Sequence, residues 1–239
     1  MDYAEAILRL EEKLSWKGNP SLDRVRRVLA AFGNPQENLK CIHIAGTNGK
    51  GSAAAMFTSI LMEAGFRVGT YISPHLEEYT ERIQINHLEI SMQDFADTID
   101  QVLQKESVLC TEGAEKMNLF ETLTCAAFLY FKKQSPDFVV LETGLGGAFD
   151  ATNIIQKPLI SVIMSISLDH TALLGDTVEQ IASEKAGIIK QDCPVAVYPN
   201  IHSVTEILQK KAQSCDAPFF YASAKIKMEH CDFFGSQFS

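Results

Sequence analysis

The chain has 239 residues, 46% hydrophobic and 21% charged, enough apolar material to bury the core of one large domain. Thirty acidic against 21 basic residues give a formal net charge of −9, and Lys and Arg form no cluster, which excludes a nucleic-acid surface and leaves any anionic substrate to be captured locally. Six scattered cysteines without a Cys-x-x-Cys pair argue for reduced thiols and against a zinc site or disulfide frame.

Residues 1–5 carry neither the basic nor the apolar region of a leader, and no run approaches the ~18 apolar residues of a membrane span. A cytoplasmic monomer without membrane or nucleic-acid partners is expected. Ala6, Ile7, Leu10 and Leu14 recur at helical spacing, predicting a helix over 3–14 that Trp16-Lys17-Gly18-Asn19-Pro20 ends. A second helix over 21–32, capped by Ser21 and buried through Leu22, Val25, Val28, Leu29 and Phe32, completes an N-terminal helical layer over 1–40. The apolar run Cys41 to Ala45 then breaks into Gly46-Thr47-Asn48-Gly49-Lys50-Gly51-Ser52 ahead of a helical pattern over 53–64. A strand, a tight loop and a helix N-terminus follow from that order.

Downstream, a strand over 67–72 is broken by Ser73-Pro74-His75-Leu76, and the alternation of residues 82–86 predicts an exposed strand. Helices are expected over 91–104 and 119–133. Phe138-Val139-Val140-Leu141-Glu142 is a continuous apolar run ending on a carboxylate, the pattern of a central parallel strand that delivers an acid to its C-terminal edge. Gly144-Leu145-Gly146-Gly147 makes the next loop. A buried strand over 159–166 ends just before Asp169-His170, and a helix over 177–190, a strand over 194–198, a helix over 203–214 and a strand over 219–221 complete the alternation. Repeated β-α units predict a doubly wound, mainly parallel α/β sheet over 41–239, with ligands at the C-terminal ends of its strands.

Chemistry concentrates at those ends. Backbone N–H groups of residues 46–52 and the following helix dipole suit a polyphosphate, with Lys50 adding a charge and Ser52 a hydroxyl. The usual P-loop spacing is not met, because its first glycine would fall at Ile44 and Gly51 separates Lys50 from Ser52. Opposite such a loop, Glu142 is a candidate Mg²⁺ ligand, since magnesium on nucleotide phosphates takes carboxylates, hydroxyls and waters. His170, directly after a buried strand and an aspartate, is a metal or phosphate candidate. Lys185 falls within the apolar stripe of Val178, Ile181, Ala182, Ile188 and Ile189, so an ammonium is aimed inward and must be paired, deprotonated or modified. Snorkelling, a pair with Glu179 or Glu184, and a carbamate formed with CO₂ are the alternatives.

In order, these residues resemble the folylpolyglutamate synthase and dihydrofolate synthase family of Mur-type ligases. The matching segments are residues 43–52; Ser73-Pro74-His75-Leu76; Glu81-Arg82-Ile83; residues 142–147; Asp150-Ala151-Thr152-Asn153; Asp169-His170; and Glu184-Lys185-Ala186-Gly187. The resemblance implies a Mur-ligase-like central domain that binds ATP through Gly46, Thr47, Asn48, Gly49, Lys50, Gly51 and Ser52. It also implies the reaction: ATP phosphorylates a carboxylate of folate or dihydropteroate, and the amine of L-glutamate attacks the acyl phosphate. Lys50, His170 and Lys185 are the implied catalytic residues. Ser73 and Glu142 would hold one Mg²⁺, and His170 with carbamylated Lys185, joined by Glu142, a second. Because the bare motif gives the metal hydroxyl to Ser52, Ser52 and Ser73 stand as alternatives. Asn118, Leu119, Phe120, Glu121, Phe149, Asp150 and Ala151 correspond to the pterin side. The family's C-terminal glutamate-binding domain has no counterpart in residues 1–239. Ala148 stands where the family carries arginine, Ser167 and His87 where it carries glycine, so a non-catalytic nucleotide- or folate-binding remnant is the competing reading.

Overall fold

Side-chain caps set where four of the helices begin. In the computed structural model, which describes residues 1–15, 21–222, 228–232 and 235–238, Asp2 accepts from Glu5 N at the start of α1 (Tyr3–Glu11). The predicted stop Trp16-Lys17-Gly18-Asn19-Pro20 lies outside the described residues. After α2 (Asp23–Ala31), the chain enters β1 (Cys41–Ala45), passes through the glycine loop into α3 (Lys50–Glu63), and returns as β2 (Val68–Tyr71). Two short strands follow, β3 (Ile83–Ile85) and β4 (Leu88–Glu89). Ser91 caps α4 (Met92–Thr111), and a reciprocal Asn118–Glu121 capping box starts α5 (Leu119–Gln134). Next come β5 (Phe138–Glu142), β6 (Ile160–Ile163) and the single turn α6 (Thr171–Leu174). A Thr177–Gln180 capping box opens α7 (Val178–Lys185). The remaining elements are β7 (Val195–Val197), α8 (His202–Ser214), β8 (Phe219–Tyr221) and an antiparallel pair, β9 (Met228–Asp232) and β10 (Gly235–Phe238).

The eight-stranded sheet runs β4-β3-β2-β5-β1-β6-β7-β8. From β2 to β8 every neighbouring pair is parallel, and β3 and β4 add antiparallel at one edge. Register puts Cys41, Val139, Leu141 and Tyr71 on one face, packed with α1, α2, α4 and α5, while Ile163, Val195 and Val197 carry that face on beneath α7 and α8. The opposite face, with Ile42, Ile44, Val68, Val140 and Val162, is covered by α3. The chain leaves β1 towards β2 and β5 on one side and reaches β6 on the other, so the order reverses at β1 and opens a crevice at its C-terminal end.

Several sequence expectations are corrected. The strand expected to be exposed over 82–86 has Ile83 and Ile85 buried, because β3 lies between β2 and β4 and faces the core around Phe95. Regular pairing of β6 stops at Ile163, since the chain from Met164 bends to meet the glycine loop. The helix expected over 177–190 is regular only to Lys185 and tightens into a 3₁₀ turn, Ala186–Ile188, where Gly187 abuts Ala148.

Candidate active site

The loop after β1 is a cradle braced by the bend after β6. Gly49 has φ +81°, a left-handed conformation that favours glycine, and from there the fourteen-residue α3 begins with Lys50. Thr47 N donates to Ser165 O at 2.8 Å and Thr47 Oγ1 to Ser167 O at 3.1 Å, so the bend after β6 buttresses the cradle. Lys50 Nζ donates to Thr47 O at 3.2 Å and lies 3.9 Å from Glu142 Oε1.

Glu142, at the end of β5, is 4% exposed. Burial raises its pKa, opposed by a 3.3 Å hydrogen bond from Ser73 N to Oε2 and by the charges of Lys50 and Arg82. A Cβ on Gly51 would lie 3.6 Å from the same Oε2, so the start of α3 runs beside this acid without bonding it. Of the two hydroxyl candidates, Ser73 belongs to the segment that touches Glu142, whereas Ser52 is exposed on the first turn of α3.

Lys185 is also buried, and its Nζ donates to Gly46 O at 2.8 Å. Burial, with Lys50 close by, lowers its pKa to about 8 against the opposing fields of Asp169 and Asp150. Small residues make this placement accessible. A Cβ on Gly147 would come within 2.6 Å of Glu184 O, and one on Gly187 within 2.4 Å of Ala148 Cα, while Ala148 N donates to Glu184 O at 2.9 Å. Asn153 Nδ2 ties the crossing together by donating to Ala148 O (2.9 Å) and Gly187 O (3.2 Å). His170 stands further out, exposed ahead of α6 in a left-handed conformation, with Nε2 3.8 Å from Asp169 Oδ1.

On the side expected for a pterin, two carboxylates are engaged by the fold. Glu121 closes the capping box with Asn118 and pairs with buried Arg24 at 2.7 Å. Asp150 accepts from Leu145 N (2.8 Å), Thr152 N (3.0 Å) and the Thr152 hydroxyl, whose oxygen also meets His43 Nε2 at 2.8 Å. Leu119 is half-buried and Ala151 buried. Phe120 lies against Gly144, where a Cβ would sit 2.5 Å from its Cζ, and beside Tyr71. Phe149 is 56% exposed, an aromatic ring offered at the rim.

Because β1, β2, β5 and β6 are parallel neighbours, the glycine loop, Ser73, Glu142 and the Asp169-His170 segment all leave the same edge of the sheet. Glu142 suits one hard cation: it is desolvated, and among the described residues it receives a single long N–H bond and has its nearest ammonium at 3.9 Å. The second set, His170 with Lys185 and Glu142, is less assembled. Lys185 is turned to a carbonyl, and among the described residues no three His, Cys, Asp or Glu side chains converge on a metal position. Sequence reasoning assigned no role to Arg82 or His43. A histidine between the core residues Ile42 and Ile44 was the one available signal for the latter.

The Mur ligase middle domain family model matches residues 44–229. The dihydrofolate synthase/folylpolyglutamate synthase of Bacillus subtilis (strain 168) is 38% identical over 218 residues, covering 91% of this chain and 50% of that protein. The mitochondrial folylpolyglutamate synthase of Homo sapiens is 36% identical over 236 residues, covering 92% of this chain and 40% of that protein. Among solved structures, an FPGS complex with AMPPCP and folate superposes with a TM-score of 0.93 at 32% identity, over all of this chain and 58% of that one. The folylpolyglutamate synthase of Thermotoga maritima gives 0.89 at 35% identity, over 99% of this chain and 54% of that one. The chain spans about half the length of the curated relatives it matches.

Proposed function

Because this chain belongs to the Mur ligase family, in its folylpolyglutamate and dihydrofolate synthase branch, we propose that it is the nucleotide-binding part of an ATP-dependent amide ligase. The reaction is addition of L-glutamate to a folate, or to dihydropteroate, through an acyl phosphate. The observation that supports this reading is the single rim shared by Lys50, Glu142 and Lys185. Lys50 lies 3.9 Å from Glu142, and Lys185 is hydrogen-bonded to the first residue of the glycine loop.

The loop amides of residues 46–52 and the α3 N-terminus bind the β- and γ-phosphates. Lys50 leaves the Thr47 carbonyl for a phosphate oxygen, a stronger partner in the same place. Glu142 with Ser73 would hold Mg²⁺, and the ion would supply charge to offset that on the transferring phosphoryl group. The cradle then lines the γ-phosphorus up with a carboxylate oxygen of the pterin substrate. That oxygen bonds to phosphorus as the bond to the bridging oxygen breaks and ADP departs. Glutamate's amine next attacks the acyl carbon, phosphate leaves, and the amine's proton passes to solvent. Phe120 and Phe149 supply apolar surface for the flat ring system. Lys185, lowered to about 8, is nucleophilic enough near neutrality to take up CO₂, and the carbamate would complete a second metal site with His170.

Hydroxylamine trapping tests the first half-reaction without glutamate. With ATP, Mg²⁺ and dihydropteroate or tetrahydrofolate, a pterin hydroxamate and an equal amount of ADP are expected. Nucleotide binding with no pterin-dependent ADP would contradict the ligase and favour the non-catalytic remnant. Bicarbonate should tighten Mg²⁺ binding in the parent chain and leave Lys185→Ala unaffected.

A further inference from the structure

Between β2 and β3 the chain makes a tight loop over residues 73–82 whose shape is fixed by one carboxylate. Glu81 accepts the backbone N–H groups of Leu76 (2.8 Å), Glu77 (2.6 Å) and Glu78 (2.6 Å), and Ile72 N closes the base by donating to Arg82 O at 3.0 Å. The loop begins with Ser73, whose N–H is on Glu142, and ends with Arg82.

Arg82 is half-buried and held on two sides. Its Nε donates to His75 Nδ1 at 2.8 Å, and the guanidinium carbon lies 5.5 Å from the centroid of Tyr79, whose ring is 4.3 Å from that of His75. Because Arg82 Nε–H is the donor, His75 Nδ1 is the acceptor and the ring's proton sits on Nε2. Neither Nη atom of Arg82 has an acceptor within hydrogen-bond reach among the described residues. Arg24 is the contrast: its Nε, Nη1 and Nη2 all donate to carboxylate oxygens of Glu115 or Glu121. An oriented guanidinium with two free donors matches a planar oxyanion bidentately, which an ammonium cannot do. Its charge also reaches the site, stabilising the ionised forms of Glu142 and Tyr71.

The geometry points to Arg82 as a binding residue for the substrate's own carboxylate. Its free fork, aimed by His75 and Tyr79, grips the oxyanion that the nucleotide is to phosphorylate. This rests on the ligase reading, and it gives the rim a cation for the second substrate that is separate from Lys50 and absent at Ala148. Ser73 and Arg82 sit at the two ends of one short loop, so the acid and the carboxylate clamp are set in register by Glu81.

Equilibrium binding of matched acid and amide pairs tests the assignment. The probes are folate against pteroylglutamine and pteroate against its carboxamide, measured with Mg·AMPPCP affinity on the same samples. The parent chain should prefer the acid in at least one pair by about tenfold or more. Arg82→Gln should lower that preference below about twofold, and Arg82→Lys should retain only part of it. Mg·AMPPCP affinity should stay within about threefold of the parent in both, since Arg82 is the weakest of the influences on Glu142, and Arg27→Gln, at an exposed arginine of α2, should behave as the parent. Equal binding of acid and amide by the parent, or a preference that survives in Arg82→Gln, overturns the role of Arg82. Loss of the preference together with loss of Mg·AMPPCP binding also overturns it, since the loop would then act only as structure. A parent chain that binds no nucleotide at all would instead sink the ligase reading.

Discussion

The helical layer and the strand-end rim use the same residue types in opposite ways. In the helical layer buried charges are saturated: Arg24 spans Glu121 and Glu115, and Lys13 donates to both oxygens of Glu106 and to Met117 O. At the rim they are left short of partners. Among the described residues, Lys50 and Glu142 stand 3.9 Å apart, Lys185 has one carbonyl, and the Arg82 fork ends in open donors. A buried charge without a full complement of partners lowers stability and persists where a ligand completes it. The contrast separates charges that hold the fold from charges that await nucleotide, metal and carboxylate.

Breaking the contrast should give effects of different kind and size. The largest lies under the rim, at His43, which is fully buried, bonds Thr152 through Nε2 and has an unpartnered Nδ1. Burial, aided by Lys190, lowers its pKa to about 3 from an ordinary 6.5. Between those values the unfolded chain holds a proton that the folded chain does not, so stability falls as pH drops through 6.5 towards 3. The loss at the lower limit is about 5 kcal/mol. Urea unfolding across that range should show this acid limb in the parent and lose it in His43→Leu, and identical limbs would refute it. Next in size, Arg24→Met leaves buried Glu121 without its cation, held only by the Asn118 N–H, and should cost about 3 kcal/mol in the same assay. At the rim the sign reverses: Glu142→Gln relieves a desolvated carboxylate and should raise stability by about 1 kcal/mol while Mg²⁺-dependent nucleotide binding falls. A destabilised Glu142→Gln would mean that this acid is structural. The smallest global effect belongs to Glu81→Gln, where hydrogen exchange should accelerate at Leu76, Glu77 and Glu78 with little change in overall unfolding.

The parallel frame was legible because each central strand carries its own signal. β1, β5 and β8 occupy the predicted residues, and an apolar run ending in Glu142 suffices to place an acid at the sheet edge. Lys185 was legible as an inward lysine from helical spacing alone, and its burial follows from that spacing. What escaped depends on contacts between distant segments. The strand expected over 159–166 ends early because residues 164–166 are drawn off towards Thr47, and the 177–190 pattern continues past the point where Gly187 meets Ala148. The single turn α6 and the two-residue β4 are too short to carry a period. Neither the engagement of Glu121 by Arg24 nor the pairing of Arg82 with His75 can be read from spacing, because each joins side chains that only the folded chain brings together.

Lys50→Met asks the rim most directly whether its charges serve the ligand. Calorimetric titration with Mg·AMPPCP and urea unfolding on the same preparation should show an affinity loss of about 100-fold or more, with unfolding free energy within about 0.5 kcal/mol of the parent. Unchanged affinity, accompanied by a stability loss of about 2 kcal/mol or more, would mean that Lys50 and Glu142 are a structural pair and would contradict the account.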